Sequence, residues 1–139
     1  MLSDGPLVAV VIPLYNAATF IGATVESVLS QTRDEIECIV VDDGSDDGSL
    51  EILEVKMHAD PRLKVLRQTN AGPSAARNRG LSEAHPSVRY VMFLDHDDVL
   101  EPGALATLVD RLERDADASG VHGLVRFIDE HGAGYLPRR

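Results

Sequence analysis

Short runs of valine and isoleucine alternate along this chain with stretches in which apolar residues fall three and four positions apart. That alternation is the pattern of βα units feeding a mainly parallel sheet. The first run is Leu7 to Ile12, with Pro13 expected to stop it, and Ile21, Val25, Val28 and Leu29 then mark the buried face of a helix. A second strand from Ile36 to Val41 runs into Asp42-Asp43-Gly44-Ser45, where glycine permits a sharp turn and a serine or aspartate can cap the next helix. Leu50, Leu53 and Met57 mark the buried side of that helix. Arg62 to Leu66 is a weaker strand, begun by Pro61 and interrupted by two basic residues, and its place is expected near a sheet edge.

After Asn70-Ala71-Gly72-Pro73 the chain is rich in alanine and arginine as far as Ala84, a helical composition that His85-Pro86 closes. Tyr90 to Leu94 is the most apolar strand after the first, and it delivers the acidic group Asp95-His96-Asp97-Asp98. Pro102 suits the first turn of a further helix with Leu105, Leu108, Val109 and Leu112 on one face, and Val121 to Ile128 reads as a final strand. Strands joined through helices bring their carboxyl ends to one edge of the sheet, where open α/β sheets bind ligands. Pro13 to Asn16, Asp42 to Ser45 and Asp95 to Asp98 are therefore expected to meet in one cleft.

The 139 residues carry no repeat and no linker, so a single domain over 1–139 is expected. Thirteen lysines and arginines against 23 acids give a net charge of −10, which argues against binding nucleic acid by phosphate neutralisation. An anionic ligand would need local help. The single cysteine, Cys38, allows no intrachain disulfide and reads as a small buried apolar residue. The apolar stretch from Leu7 to Leu14 is far short of the roughly 20 residues that span a bilayer. The expectation is a reducing, cytoplasmic setting, with peripheral contact at the inner face of the membrane left open.

Three carboxylates within Asp95 to Asp98 repel one another, by about 3 kcal/mol for two unit charges ~5 Å apart at an effective dielectric of ~20. A cation would relieve that repulsion, and so would the N-terminus of the helix near Pro102. Oxygen ligands suit Mg2+ or Mn2+, and one or two carboxylates plus substrate phosphates commonly hold the cation of a nucleotide diphosphate. His96 reads as a spectator beside them. Aspartate and glycine are ordinary βα-turn vocabulary at Asp42 to Ser49, although Asp43 can also accept hydrogen bonds from the N–H groups of a base. Tyr15 can stack on that base or simply pack. Arg77 and Arg79 can form surface salt bridges, pair with Asp43 or Asp95, or approach a phosphate. His58, His85, His122 and His131 show no metal spacing and read as structural.

Four ordered blocks carry a resemblance: Val10-Val11-Ile12-Pro13-Leu14-Tyr15-Asn16, Val41-Asp42-Asp43-Gly44-Ser45-Asp46-Asp47-Gly48-Ser49, Asn70 through Gly80, and Phe93-Leu94-Asp95-His96-Asp97-Asp98. Together they resemble the family 2 glycosyltransferases of the GT-A fold, over nearly the whole chain as far as Val125-Arg126-Phe127. The resemblance implies a nucleotide-diphosphate sugar donor, Mn2+ or Mg2+, and transfer with inversion at the anomeric carbon. It makes Asp43 the carboxylate that binds the nucleobase, and Pro13 and Tyr15 the wall for base and ribose. Asp95 and Asp97 match the Asp-x-Asp motif, Asp97 as ligand of the metal and Asp95 as partner of the ribose or of the metal through water. Arg77 resembles the arginine that supports the donor pocket.

In that family a second half follows the Asp-x-Asp strand and supplies the general base and much of the acceptor site. This sequence ends at Arg139, 42 positions after Asp97, and Asp129 and Glu130 match no base motif. The base is therefore expected beyond Arg139, the acceptor (saccharide, lipid or protein) stays open, and apolar helix faces left uncovered are expected to favour self-association. A nucleotidylyltransferase would open with a glycine-rich phosphate loop where this chain has Ile12-Pro13-Leu14-Tyr15. A haloacid-dehalogenase-like phosphatase would carry its Asp-x-Asp on the first strand. A non-catalytic nucleotide-sugar binding module, or an inactive transferase fragment, is the strongest rival, because binding needs only the half that is present.

Overall fold

The computed structural model describes residues 5–134. Two compact units divide the chain between Ala106 and Thr107. The first is a parallel α/β sheet of β1 (Val8–Leu14), β2 (Ile36–Asp42), β3 (Leu63–Arg67) and β4 (Tyr90–Phe93), in the order β3-β2-β1-β4. Helices α1 (Ile21–Leu29), α2 (Ser49–Ala59) and α3 (Pro73–Ser82) connect successive strands. The α/β architecture expected from the sequence is the one observed.

From β1 the chain steps through β2 to β3, then returns past β1 to lay β4 on its other side. Right-handed crossovers therefore put α1 and α2 on one face of the sheet and α3 on the other. On the α3 face, Ala76 packs with Ala9, Val11, Ile39 and Val41. The alternate residues Val10, Ile12, Cys38 and Val40 are equally buried on the opposite face. With both faces covered, every residue of β1 is buried, which is why its sequence shows no polar alternation. Burial also pushes the Cys38 thiol up to about 12, as expected of an inert core cysteine.

Three sequence expectations need correction. Pro13 does not stop the first strand: β1 runs through it to Leu14, with Pro13 in register with Val41. The carbonyl of Val11 faces β4, accepting from Leu94 N, so two residues on Pro13 faces the same side, where β4 has already ended at Phe93. The missing N–H costs no ladder bond there. Met57 is exposed rather than buried, leaving Leu53 as the fully covered apolar residue of the α2 face. Val121 to Ile128 forms no strand: among the described residues it makes only an isolated antiparallel bridge between Ile128 and Gly134, and Leu124, Val125 and Phe127 are exposed. An apolar run becomes a strand only where another backbone completes its hydrogen bonds.

β3 is at an edge, as its mixed composition suggests, and β4 is at the other. Helix α4 (Ala104–Glu113) begins two residues after Pro102, with Leu105 and Val109 buried and Leu108 and Leu112 half-buried. No helix among the described residues is long and apolar enough to cross a membrane.

Candidate functional site

Because the strand order reverses at β1, the loops that follow β1 and β4 diverge around a crevice at the carboxyl end of the sheet. A cavity of about 530 Å3 opens there, within the size range of small-molecule sites. Pro13, Tyr15, Asp43, Arg77, Asp95 and Asp97 all line it, joined by Leu14, Asn70, Gly72, Pro73 and His96. The six site residues named from sequence thus come from four different elements to one cavity. Arg79 does not join them; its guanidinium donates to the carbonyl of Arg67 at 2.6 Å.

The floor of the site is set by hydrogen bonds between the first two βα loops. Asn16, held at φ 47, donates its N–H to Ser45 Oγ and accepts from Asp46 N. Ala17 N donates to Ser49 Oγ and Ala18 N to Asp47 Oδ2. Asp47 also accepts from Ser49 N at the start of α2, so this acid is structural. The ties fix where β1 delivers Tyr15, whose side chain is half exposed at the cavity wall.

Asp43 is only 3% exposed, yet it stands at the lip of the open cavity. Its Oδ1 accepts from Gln68 Nε2 and Ala71 N, and its Oδ2 from Gly72 N, each at 2.8 Å. Burial pushes this carboxyl up, but the three hydrogen bonds together outweigh it and hold the group below the ordinary carboxylate value. With about four lone-pair positions and three used, one acceptor position remains for a ligand. Gly72, at φ 91, turns the backbone so that its N–H meets Asp43 just before Pro73 opens α3. Sequence reading missed Gln68 and the part played by the loop amides. Nothing in the sequence marks Gln68 as the partner of an acid 25 positions away.

On the other wall, Arg77 Nη2 donates to Asp95 Oδ1 at 2.8 Å, joining α3 to the loop after β4. His96 Nδ1 lies 3.2 Å from the carbonyl of Pro13, so the residue read as a spectator links β1 to the acidic loop. The Asp98 carboxyl is pushed up by burial and then by the neighbouring charges of Asp97 and Asp95. One arginine thus faces a group of acids that burden each other, a place where added positive charge is favourable. Among the described residues no three His, Cys, Asp or Glu side chains are arranged to hold a metal by themselves. A divalent cation here would take part of its oxygen shell from a ligand, as Mg2+ does with phosphates. Asp95 and Asp97 are the acids of this loop that line the cavity.

The model of glycosyl transferase family 2 matches residues 9–138. Over 113 residues the chain is 42% identical to the glycosyltransferase GlyG of Streptococcus pneumoniae, covering 80% of this chain and 37% of that protein. Among solved structures, TarS 1–349 of S. aureus in complex with UDP-GlcNAc superposes with a TM-score of 0.71 at 32% identity, covering 78% of this chain and 31% of that one. A mannosyltransferase of Pyrobaculum calidifontis in complex with GDP-Man and Mn2+ superposes with a TM-score of 0.68 at 28% identity, over 79% of this chain and 33% of that one. The chain spans about a third of the length of the curated relatives it matches.

Proposed function

The chain belongs to glycosyl transferase family 2, and on that premise we propose that its cavity is the donor site of an inverting, metal-dependent transfer of sugar from a nucleotide diphosphate to an acceptor hydroxyl. The observation that carries this reading is the meeting of Asp43, Arg77, Asp95 and Asp97 in one crevice at the point where strand order reverses. Similar chains bind UDP-GlcNAc and GDP-Man, so a nucleotide sugar is the ligand class assigned to this cavity.

In this reading Pro13 and Tyr15 form the wall for base and ribose, and the remaining acceptor position of Asp43 takes a base N–H. Asp97, with Asp95, would hold Mn2+ or Mg2+. The ion, when bound, supplies positive charge to the diphosphate leaving group. Arg77 orients Asp95 through its hydrogen bond and adds a fixed positive charge beside the same oxygens. The base that deprotonates the acceptor is assigned outside this site, since Asp43 and Asp95 are already committed and Asp97 is assigned to the cation. Saccharide, lipid and protein acceptors all fit this reading.

The same shortage of an uncommitted base supports a second reading, a module that binds the donor without transferring it. Calorimetry with UDP-GlcNAc and GDP-Man, each with and without Mn2+, tests the donor site, and uptake of neither sugar nucleotide in the presence of Mn2+ would overturn it. Mass analysis of mixtures containing candidate acceptors separates the readings, because a binding module yields no glycosylated product.

A further inference from the structure

Helix α1 was recognisable from its apolar face, but beside that face stand the polar Thr24 and Ser27, and Gln31, two residues past the end of the helix, continues the stripe. Every one of these side chains hydrogen-bonds to the backbone of the segment that carries the acidic group. Thr24 Oγ1 lies 2.8 Å from the carbonyl of His96, to which it donates. Ser27 Oγ accepts from Leu100 N at 3.0 Å while donating to Thr24 O. Gln31 Nε2 donates to Glu101 O and Ser27 O, and its Oε1 accepts from Leu105 N at the start of α4. Both ends of the Gln31 amide therefore have partners of the correct polarity, so its orientation is unambiguous.

Thr24 is 1% exposed and Gln31 is 5% exposed. Buried hydroxyl and amide groups are costly unless satisfied, and these are satisfied by a segment about 70 positions away rather than by their own helix alone. The ties at His96 and Leu100 bracket Asp97. None of the three side chains lines the cavity.

We propose that this stripe is the positioning element of the site: Thr24, Ser27 and Gln31 set where Asp95 and Asp97 stand, and so how tightly a cation and a nucleotide diphosphate are held together. The proposal rests on the donor-site reading above. Rigid support of this kind matters because errors of about 1 Å in a charged group can cost orders of magnitude in function.

The test uses Ser27→Ala, which removes the acceptor for Leu100 N, and Ser27→Thr, which restores a hydroxyl. Thr24→Val, which keeps shape and packing, provides a second route if Ser27→Ala folds poorly. Calorimetry with UDP and with GDP, each with and without Mn2+, is read beside hydrogen exchange at the Leu100 and Leu105 amides. In Ser27→Ala, affinity in the presence of Mn2+ should fall about fivefold to tenfold, the worth of one net hydrogen bond, while metal-free affinity stays unchanged. Leu100 should exchange faster, and Ser27→Thr should recover both properties. Thr24→Val should show the same split between metal-dependent and metal-free affinity. An equal loss with and without Mn2+ would mean a merely loosened fold and would overturn the proposal, as would faster Leu100 exchange with undiminished Mn2+-dependent affinity. If the unsubstituted chain takes up neither nucleotide, the donor-site reading fails and the clamp is decided by exchange alone, with unchanged Leu100 protection in Ser27→Ala refuting it.

Discussion

At the scale of single residues, two acids of the same cavity should behave differently when made neutral. Asp97→Asn keeps the shape and removes the charge assigned to a cation. A ligand at about 100 times its dissociation constant adds ~2.7 kcal/mol, which for a domain of this size raises the melting temperature by on the order of 10 °C. In Asp97→Asn the Mn2+-dependent part of the shift given by UDP or GDP should largely vanish, and an unaltered shift would remove Asp97 from the metal assignment. Asp43→Asn places an NH2 where only donors point, at Gln68, Ala71 and Gly72. At least one hydrogen bond must fail, costing about 1–3 kcal/mol, while the metal-dependent response should persist in diminished form. The pH dependence follows from the direction of the Asp43 shift. Its carboxyl is lowered below the ordinary 3.8, so the stability it contributes is present above that value and is lost as pH falls through the lower folded value. NMR signals of the Ala71 and Gly72 amides should therefore hold steady down to about pH 4 and move only below it. Movement between pH 5 and 7 would contradict the assignment of three hydrogen bonds to the ionised form.

At the scale of elements, α3 shows how packing governs the site. A Cβ at Gly80 would collide with Val11 Cγ1 and come within 3.2 Å of Val41 Cγ2, so glycine lets this helix lie close on the sheet. Gly80→Ala gains up to ~1 kcal/mol of helix preference, but overpacking against a strand buried on both faces costs about 1–3 kcal/mol. The collision should win, lowering the urea midpoint. Lifting α3 also draws Arg77 from Asp95, so nucleotide affinity should fall too. Val11→Ala combined with Gly80→Ala should recover part of both losses, and strict additivity would show that the contact is not the cause. That close contact was not legible in the sequence, although α3 itself was. Strands and helices showed because period and composition are local properties: Ile21, Val25 and Val28 repeat at helical spacing whatever they pack on. The cavity residues Asp43, Asp95 and Asp97 were legible because parallel topology sends the ends of β2 and β4 to one edge. What each loop hydrogen-bonds to was hidden, since Gln68 to Asp43 and Gln31 to Leu105 are long-range pairings that leave no periodic trace. The strand expected at Val121 to Ile128 failed for the complementary reason: its pattern was right, but pairing is a property of two segments.

At the scale of the whole molecule, the first unit carries apolar surface on its helices, where Val55 of α2 and Leu81 of α3 are exposed, and on β4 as well. Val28 of α1 is fully buried, whereas Val91 and Phe93 of β4 are 40% and 48% exposed. Their register partners Ala9 and Val11 belong to the face that α3 covers, but α3 packs chiefly on β1 and β2, and these two β4 side chains stay partly exposed. β4 also bonds to β1 alone, leaving its other edge without a strand partner among the described residues. An apolar face beside an unpaired edge is a common route to association. Expressed as these 139 residues, the chain should therefore associate with itself, with a weight-average mass in sedimentation that rises with concentration. Phe93→Ser should suppress that rise, because it removes about half-exposed aromatic surface from the edge strand while its neighbour Leu94, buried and bonded to Val11, keeps the loop to Asp95 in place. The same substitution should leave Mn2+-dependent binding of UDP or GDP intact, since Phe93 does not line the cavity. Concentration-independent monomers of the unsubstituted chain, with no binding of a hydrophobic dye, would show that the partly exposed face of β4 is tolerated in water. Loss of nucleotide binding in Phe93→Ser would show instead that β4 holds its loop through this ring, and that the edge and the site are one mechanical unit.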